Sequence, residues 1–162
     1  SQEDCDINNN DKLYCVSDIN LINQNKYDIL TMFHVLEHIK DPVEFLKQVM
    51  EIDAEYFAVE VPHTNEALVS LYNNKKYMNN HYCLDHLWYY TEETLKMVLN
   101  KAGLEVIESN QIQRYPLSNH LKWLSNKDEE IFSIFDQVSD QYVESLIENK
   151  IADSLFMICK RA

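Results

Sequence analysis

Apolar residues along this 162-residue chain fall into two kinds of pattern. The first is the short continuous run. "KLYCV" (12–16), "YDILTMF" (27–33), "YFAVEVP" (56–62), "LEVIES" (104–109) and the terminal "DSLFMICKR" (153–161) each read as a strand. The run at 27–33 is the strongest, because an unbroken apolar stretch bounded by polar residues suits a strand covered on both faces. The second kind repeats at helical spacing. In 41–50 the apolar face is Val43, Leu46, Val49 and Met50, with Asp41 as N-cap, Pro42 at the first helical position and Glu44 at capping-box spacing. In 91–103 Thr91 is the N-cap and Gly103 the left-handed terminator. In 127–149 Ile131, Phe135, Val138, Tyr142 and Leu146 form the stripe of one long amphipathic helix whose face belongs to the core. Residues 63–90 have no clean period beyond a helix candidate in "NEALVSLYNN". Strands alternating with helices predict an α/β fold around a largely parallel sheet.

Composition narrows the picture. The length suits one domain with a real core, spanning 1–162. A formal net charge of −13 leaves no broad basic surface, which argues against a nucleic-acid partner. No apolar run approaches the length of a membrane span, so no membrane partner is expected. The polar start shows no signal peptide. Four scattered cysteines (Cys5, Cys15, Cys83, Cys159) without a CxxC pair suit a reduced, cytoplasmic protein and disfavour thiolate zinc. The sharpest anomaly is glycine. Gly103 is the single one, where a typical chain has about 7%. Loops that bring backbone against phosphate or ribose usually need several.

The stretch "HVLEH" (34–38) matches H-x-x-E-H, a signature of one class of zinc peptidase. That chemistry requires both histidines one helical turn apart on one face, with a further ligand from elsewhere. Here His34 directly follows an apolar strand, and the next helix start is Asp41-Pro42. The motif is therefore expected on a strand end, a turn or one loose helical turn, and no metal ligand is assigned. Glu37 and His38 are expected to orient the loop rather than react.

"KYDILTMFHVLEHIKDPVEFLKQV" resembles the central part of class I S-adenosylmethionine-dependent methyltransferases. "FAVEVP", then "HLWYYTEETLKMVLNKAGLEVIE", then "QRYPLSNHLKWL" and the terminal "DSLFMICK" follow in the order of that superfamily. The last pieces resemble a branch associated with sugar and surface-polysaccharide methylation. The resemblance covers about residues 13–162 and implies a Rossmann-like, mostly parallel sheet with a C-terminal antiparallel strand. It also implies S-adenosylmethionine as cofactor, a small-molecule acceptor such as a nucleotide-linked sugar, an acceptor-side insertion at 63–90 and a helical region at 115–150. The superfamily's first strand, glycine-rich loop and ribose-binding acid would lie before Ser1. The chain is thus expected to be a truncated, C-terminal part of such a domain and a poor cofactor binder. The rival expectation is a non-catalytic interaction or regulatory module on a degenerate methyltransferase scaffold; a zinc peptidase stands further off.

In open parallel sheets ligands sit at the carboxyl ends of strands, so residues there are the first candidates. Asp18 and Ile19 follow 12–16; the resemblance implies contacts with adenine, while a capping role suits Asp18 equally. Phe33 and His34 end 27–33, where the superfamily places the methionine part of the cofactor. His63 follows Pro62 at the next strand end. His86 adjoins Asp85, and an acid beside a histidine can fix its tautomer and raise its basicity. The resemblance implies such a pair in sugar methyltransferases, although Glu is more usual than Asp at that place. Tyr82 and Trp88 could stack on a sugar or nucleotide, or cover the sheet, as could Tyr89 and Tyr90. Arg114 offers a planar fork to a phosphate or carboxylate; Asn119 and His120 stand nearby in sequence.

The superfamily's sheet order is 3-2-1-4-5-7-6, and this chain resembles the third strand onward. Residues 27–33 would then lack their first-strand neighbour and present an open edge. Either 12–16 shifts to cover it or two chains pair there, and a homo-oligomer is the expected outcome. Light scattering over a dilution series should show reversible association. A strictly monomeric chain with the 27–33 amides protected from hydrogen exchange would instead indicate internal repair by 12–16.

Overall fold

A computed structural model describes residues 26–125 and 130–162. The expected strand 12–16, with Asp18 and Ile19, lies outside the described residues. Strand β1 (Tyr27–Phe33) pairs in parallel with β2 (Ala54–Pro62), with Tyr27 opposite Ala54 and Phe33 opposite Glu60. β3 (Leu104–Ile112) and β4 (Ser154–Arg161) complete a sheet of order β1-β2-β4-β3. β4 runs antiparallel to both β2 and β3, so the other three strands share one direction. This is the Rossmann-like arrangement expected of the sequence, with its reversed C-terminal strand.

The pleat decides what each strand buries. In β2, Ala54, Phe57, Ala58, Val59 and Val61 are all sealed from solvent, as a central strand demands. β1 differs from the expectation of cover on both faces. Met32 is buried and Leu30 packs on the core, but Ile29 and Phe33 on the opposite face are 48% and 51% exposed. Alternate residues of a strand point to opposite faces, and an unbroken apolar run cannot say which face receives a covering layer.

Helix α1 (Pro42–Val49) starts as its sequence predicts: the Asp41 carboxylate accepts from the Glu44 amide at 3.1 Å and Pro42 takes the first turn. Glu44's own carboxylate turns to Lys47 at 3.8 Å, so the capping box is half made. Its buried face, Leu46 and Val49, joins Leu95 and Leu99 of a second long helix in one core cluster. Between these helices the chain forms α2 (Ala67–Ser70), capped by Glu66, and α3 (Lys75–His81), capped by Asn74. These two short helices explain why 63–90 shows no single period. The second long helix, α4 (Glu92–Ala102), opens with a Thr91–Thr94 capping box and ends at Gly103, whose φ of 101° is left-handed.

Helix α5 (Leu117–Ser125) follows β3, which itself runs three residues beyond the expected 104–109. The expected single helix at 127–149 is corrected. Its described part is a 3-10 segment (Glu130–Val138) followed by helix α6 (Ser139–Glu148). Ile131 and Val138 are 61% and 53% exposed and Phe135 is also exposed, whereas Leu146 is buried. A 3-10 helix advances by three residues per turn instead of 3.6, so the stripe of the first half does not continue onto the face that α6 buries.

Gly103 supplies a testable dependency. A Cβ built there would meet only the Met50 side-chain end at 3.6 Å, so the obstacle to a side chain is the backbone conformation. Gly103→Ala should lose about 1–2 kcal/mol of stability, read as a lower urea midpoint with an unchanged m-value.

Candidate functional site

The carboxyl ends of β1, β2 and β3 and the start of the reversed β4 meet at one edge of the sheet. His34 leaves β1 with φ of 53°, while its amide continues the ladder by donating to the Glu60 carbonyl at 2.9 Å. A 3-10 turn (Leu36–His38) follows, so "HVLEH" is a strand end and a single turn, as expected. Arg114, just beyond β3, donates from Nη1 to His34 Nε2 at 2.7 Å. Its Nε lies 3.4 Å from Asp153 Oδ1, and its amide donates to Asp153 Oδ2 at 3.1 Å. His34 Nε2 is thus shared between the Arg114 guanidinium, which can only donate, and the Glu60 carboxylate, which can only accept, 3.2 Å away. The ring's other nitrogen, Nδ1, lies 3.3 Å from Glu37 Oε1. Glu60 Oε1, 3.2 Å from His34 Nε2 and 3.9 Å from Arg114 Nε, shares the same cation. Burial pushes the Asp153 carboxyl up, and Arg114 pulls it back toward the ionised form.

A backbone clamp brings the loop before α4 onto this edge. The Glu37 carbonyl accepts from the Leu87 and Trp88 amides at 2.7 and 3.2 Å, and the Trp88 indole donates to the Ile39 carbonyl at 2.8 Å. His38 Nδ1 donates to the Asp85 carbonyl at 2.8 Å. His86 consequently lies beside His38, with ring centroids 4.9 Å apart. A ring nitrogen of each histidine and a carboxylate oxygen of Glu37 all fall within 4.8 Å of one another, a spacing that can hold a metal ion.

Of these, His34, Glu37, His38, His86, Arg114 and Asp153 line one side of a cavity of about 360 Å³. α3 and α5 supply the other side, where Tyr77 meets Trp123 edge-on and stacks on His81. Burial holds His81 down at about 4, helped by the nearby His86 and His63. Glu66, buried at the cap of α2, accepts from the Leu68 amide at 2.8 Å, yet burial raises its carboxyl to about 7. His120 is sealed at the back: Gln113 donates to its Nε2, and its Nδ1 lies 2.6 Å from the Tyr142 hydroxyl. Every donor and acceptor of that ring is used, and burial lowers it to about 4.

The sequence candidates separate on this geometry. His34, His86, Arg114, Asn119 and His120 line the cavity. Phe33 does not; it lies half exposed at the end of β1, tilted against Phe156. His63 lies apart from the cavity: it is buried, its Nδ1 donates to the Ala152 carbonyl at 3.1 Å, and it is not among the lining residues. Desolvation lowers its pKa, against the raising pull of the Ala152 carbonyl and Glu92. Asp85 and His86 are not hydrogen-bonded to each other in this fold. Asp85 meets His38 through its backbone carbonyl, and His86 Nδ1 is buried with no hydrogen-bond partner among the described residues. Adjacency in sequence did not become contact because the clamp holds the backbone of this loop. Tyr82 packs on Tyr89 and His81 and Trp88 is spent on the clamp, so neither faces the cavity. Sequence reasoning missed Glu66, Tyr77, Trp123 and Asp153; only Glu66, an acid close behind a strand-ending proline, carried a local signal.

A family model described as a methyltransferase domain matches residues 3–109. Among solved structures, the chain resembles a SAM-dependent methyltransferase from Archaeoglobus fulgidus with 19% identity, a TM-score of 0.49, and coverage of 85% of this chain and 61% of that one. It also resembles a phosphoethanolamine N-methyltransferase 2 from Haemonchus contortus, in complex with S-adenosyl-L-methionine, with 13% identity, a TM-score of 0.41, and coverage of 83% and 33%. The chain thus spans less than two thirds of the length of either protein. No curated protein matches it.

The back wall makes a pH prediction. His120 has its folded pKa depressed from 6.5 to about 4, so its contribution to stability is present above 6.5 and is lost as pH falls toward 4. His120→Gln should therefore cost clearly more stability at about pH 7.5 than at about pH 4.5. Urea titrations of both proteins at the two pH values check this; an equal cost at both would show that the ring titrates normally.

Proposed function

The chain belongs to the methyltransferase-domain family, and from that premise we propose that its cavity is the acceptor side of an S-adenosylmethionine-dependent methyl transfer. The acceptor is a small polar molecule, with a nucleotide-linked sugar as the class. The observation that carries this reading is the combination of Arg114 with the Tyr77 and Trp123 rings around about 360 Å³ at the carboxyl ends of parallel strands. Arg114 spends two of its five N–H groups on His34 and Asp153, leaving others for a phosphate or carboxylate. The aromatic pair offers faces on which a ring can stack.

S-adenosylmethionine supplies, when bound, an electrophilic methyl group. The described residues fit part of it. Phe33 presents an exposed apolar face at the end of β1, beside the left-handed turn at His34. The single glycine of the chain caps α4, so no glycine-rich loop of the kind that cradles a nucleotide is formed from this sequence. Cofactor affinity is accordingly expected to be weak. The chain's own contribution is to orient the acceptor and to shield it from water, which places a nucleophile for in-line attack.

Calorimetry should give weak or no heat with S-adenosylmethionine; tight binding would mean that the cofactor finds its polar partners without a glycine-rich loop. Radiolabelled methyl transfer to a panel of nucleotide-linked sugars tests the acceptor class. Arg114→Lys should raise KM for the acceptor by about tenfold while leaving cofactor affinity unchanged, because a point charge replaces a fork. Binding of a nucleotide sugar without turnover would instead favour the non-catalytic module.

A further inference from the structure

We infer that Glu37, His38 and His86 form a binding site for a divalent first-row transition-metal ion. The sequence assigned no metal because His34 and His38 could not share a helical face. The fold answers differently. It turns His34 toward Arg114 and recruits His86 from the loop before α4 to join Glu37 and His38.

Glu37 is the compelling member. Its side chain is 1% exposed, and among the described residues neither carboxylate oxygen has a hydrogen-bond partner. His34 Nδ1 at 3.3 Å and His38 Nε2 at 3.8 Å approach Oε1 without hydrogen-bonding geometry. A carboxylate buried in this way is unfavourable unless a positive charge compensates it. His38 sharpens the point. Its Nδ1 donates to the Asp85 carbonyl, which leaves Nε2, 3.8 Å from Glu37 Oε1, as the ring nitrogen that can coordinate an ion. His86 adds a buried Nδ1 without a hydrogen-bond partner among the described residues. A cation between them satisfies all three.

The supporting shell has the form such sites use. A ligating histidine commonly donates its other N–H to a backbone carbonyl, which fixes tautomer and ring orientation, as His38 does to Asp85. The Leu87 and Trp88 amides on the Glu37 carbonyl tie the two ligand-bearing segments together before any ion arrives. Two imidazoles and one carboxylate select a borderline transition ion such as Mn²⁺, Co²⁺ or Zn²⁺ over Mg²⁺ or Ca²⁺, which prefer oxygen. Ligand bonds of about 2.0–2.2 Å imply ligand atoms roughly 3–3.5 Å apart, so the group contracts by about 1 Å on binding. Three protein ligands leave coordination positions open, and all three residues line the cavity.

Chelator-stripped protein titrated with Co²⁺ tests the site without reference to methyl transfer. We expect one Co²⁺ per chain by equilibrium dialysis, with visible d–d absorption of a nitrogen- and oxygen-ligated ion. His38→Ala and His86→Ala should each weaken binding by at least about tenfold with unchanged circular dichroism. Glu37→Gln, which keeps the volume, should do the same. Should these variants not fold, paramagnetic shifts in the wild-type chain decide: the His38 and His86 ring protons should move most, and those of His63 little. Absence of binding, wild-type affinity in both histidine variants, or shifts centred on other histidines would overturn the site and leave an imidazolium–carboxylate contact in its place.

Discussion

The carbonyl of Glu37 holds the carboxyl edge together. It accepts two backbone hydrogen bonds, from Leu87 and Trp88, and both come from a loop far along the chain. Backbone hydrogen bonds are indifferent to side-chain identity, so this contact fixes position while leaving the side chains on either segment available. Once made, it sets the distance from the 3-10 turn to His86, aims the Trp88 indole at Ile39, and puts the Asp85 carbonyl within reach of His38. The Trp88 indole on Ile39, His38 on the Asp85 carbonyl and the Tyr90 hydroxyl on the Leu36 carbonyl reinforce the same approach.

A second constraint comes from the charges gathered at the same edge. Glu37 and Asp153 are buried and Glu60 nearly so, against one guanidinium at Arg114. Water is too scarce there to screen like charges, so position and protonation must do the work. Asp153 is held by Arg114 through both backbone and side chain. His34 stands between Arg114 and Glu37, 2.7 Å from the guanidinium through Nε2 and 3.3 Å from the acid through Nδ1. The arrangement is tied together through Arg114. It is also incomplete, because polar atoms of Glu37, Glu66, His81 and His86 have no hydrogen-bond partner among the described residues. Buried polar atoms are normally paired. All four of these residues line the same cavity.

Much of the scaffold was legible in the sequence, and the reason is local. Asp41-Pro42 and Thr91 to Gly103 carry their caps within a few residues, so both long helices could be bounded before any tertiary contact was known. The strands β1, β2, β3 and β4 were legible as apolar runs, and their sheet order followed from the resemblance to the superfamily. The 3-10 segment was not legible, because Ile131, Phe135 and Val138 have the spacing of an α-helix and only the surface they meet decides their geometry. The site was legible in part. Strand ends gave His34, and a basic residue past β3 gave Arg114. The partnership of Glu37 with His86 was hidden, since it depends on a clamp between backbones that no side-chain pattern encodes. The same cause removed the Asp85–His86 pair: neighbours in a loop point apart when its backbone is held by something else.

His34 shows what the edge demands. An L-residue in the left-handed region costs about 1–2 kcal/mol relative to glycine. This chain places its one glycine at Gly103, where a helix must end, and puts an imidazole at His34, where glycine would turn the chain more cheaply. Asn73 is a tolerated exception, since its short polar side chain suits that conformation, and Lys150 closes the end of α6 at a solvent-facing turn. Histidine is also among the residue types that tolerate this conformation, and His34 adopts it at the mouth of the cavity. Its ring stands between two groups, with Arg114 bonded to one nitrogen and the Glu37 carboxylate facing the other. A glycine would let the turn form more cheaply but would remove the imidazole that stands between the Arg114–Asp153 pair and the buried carboxylate.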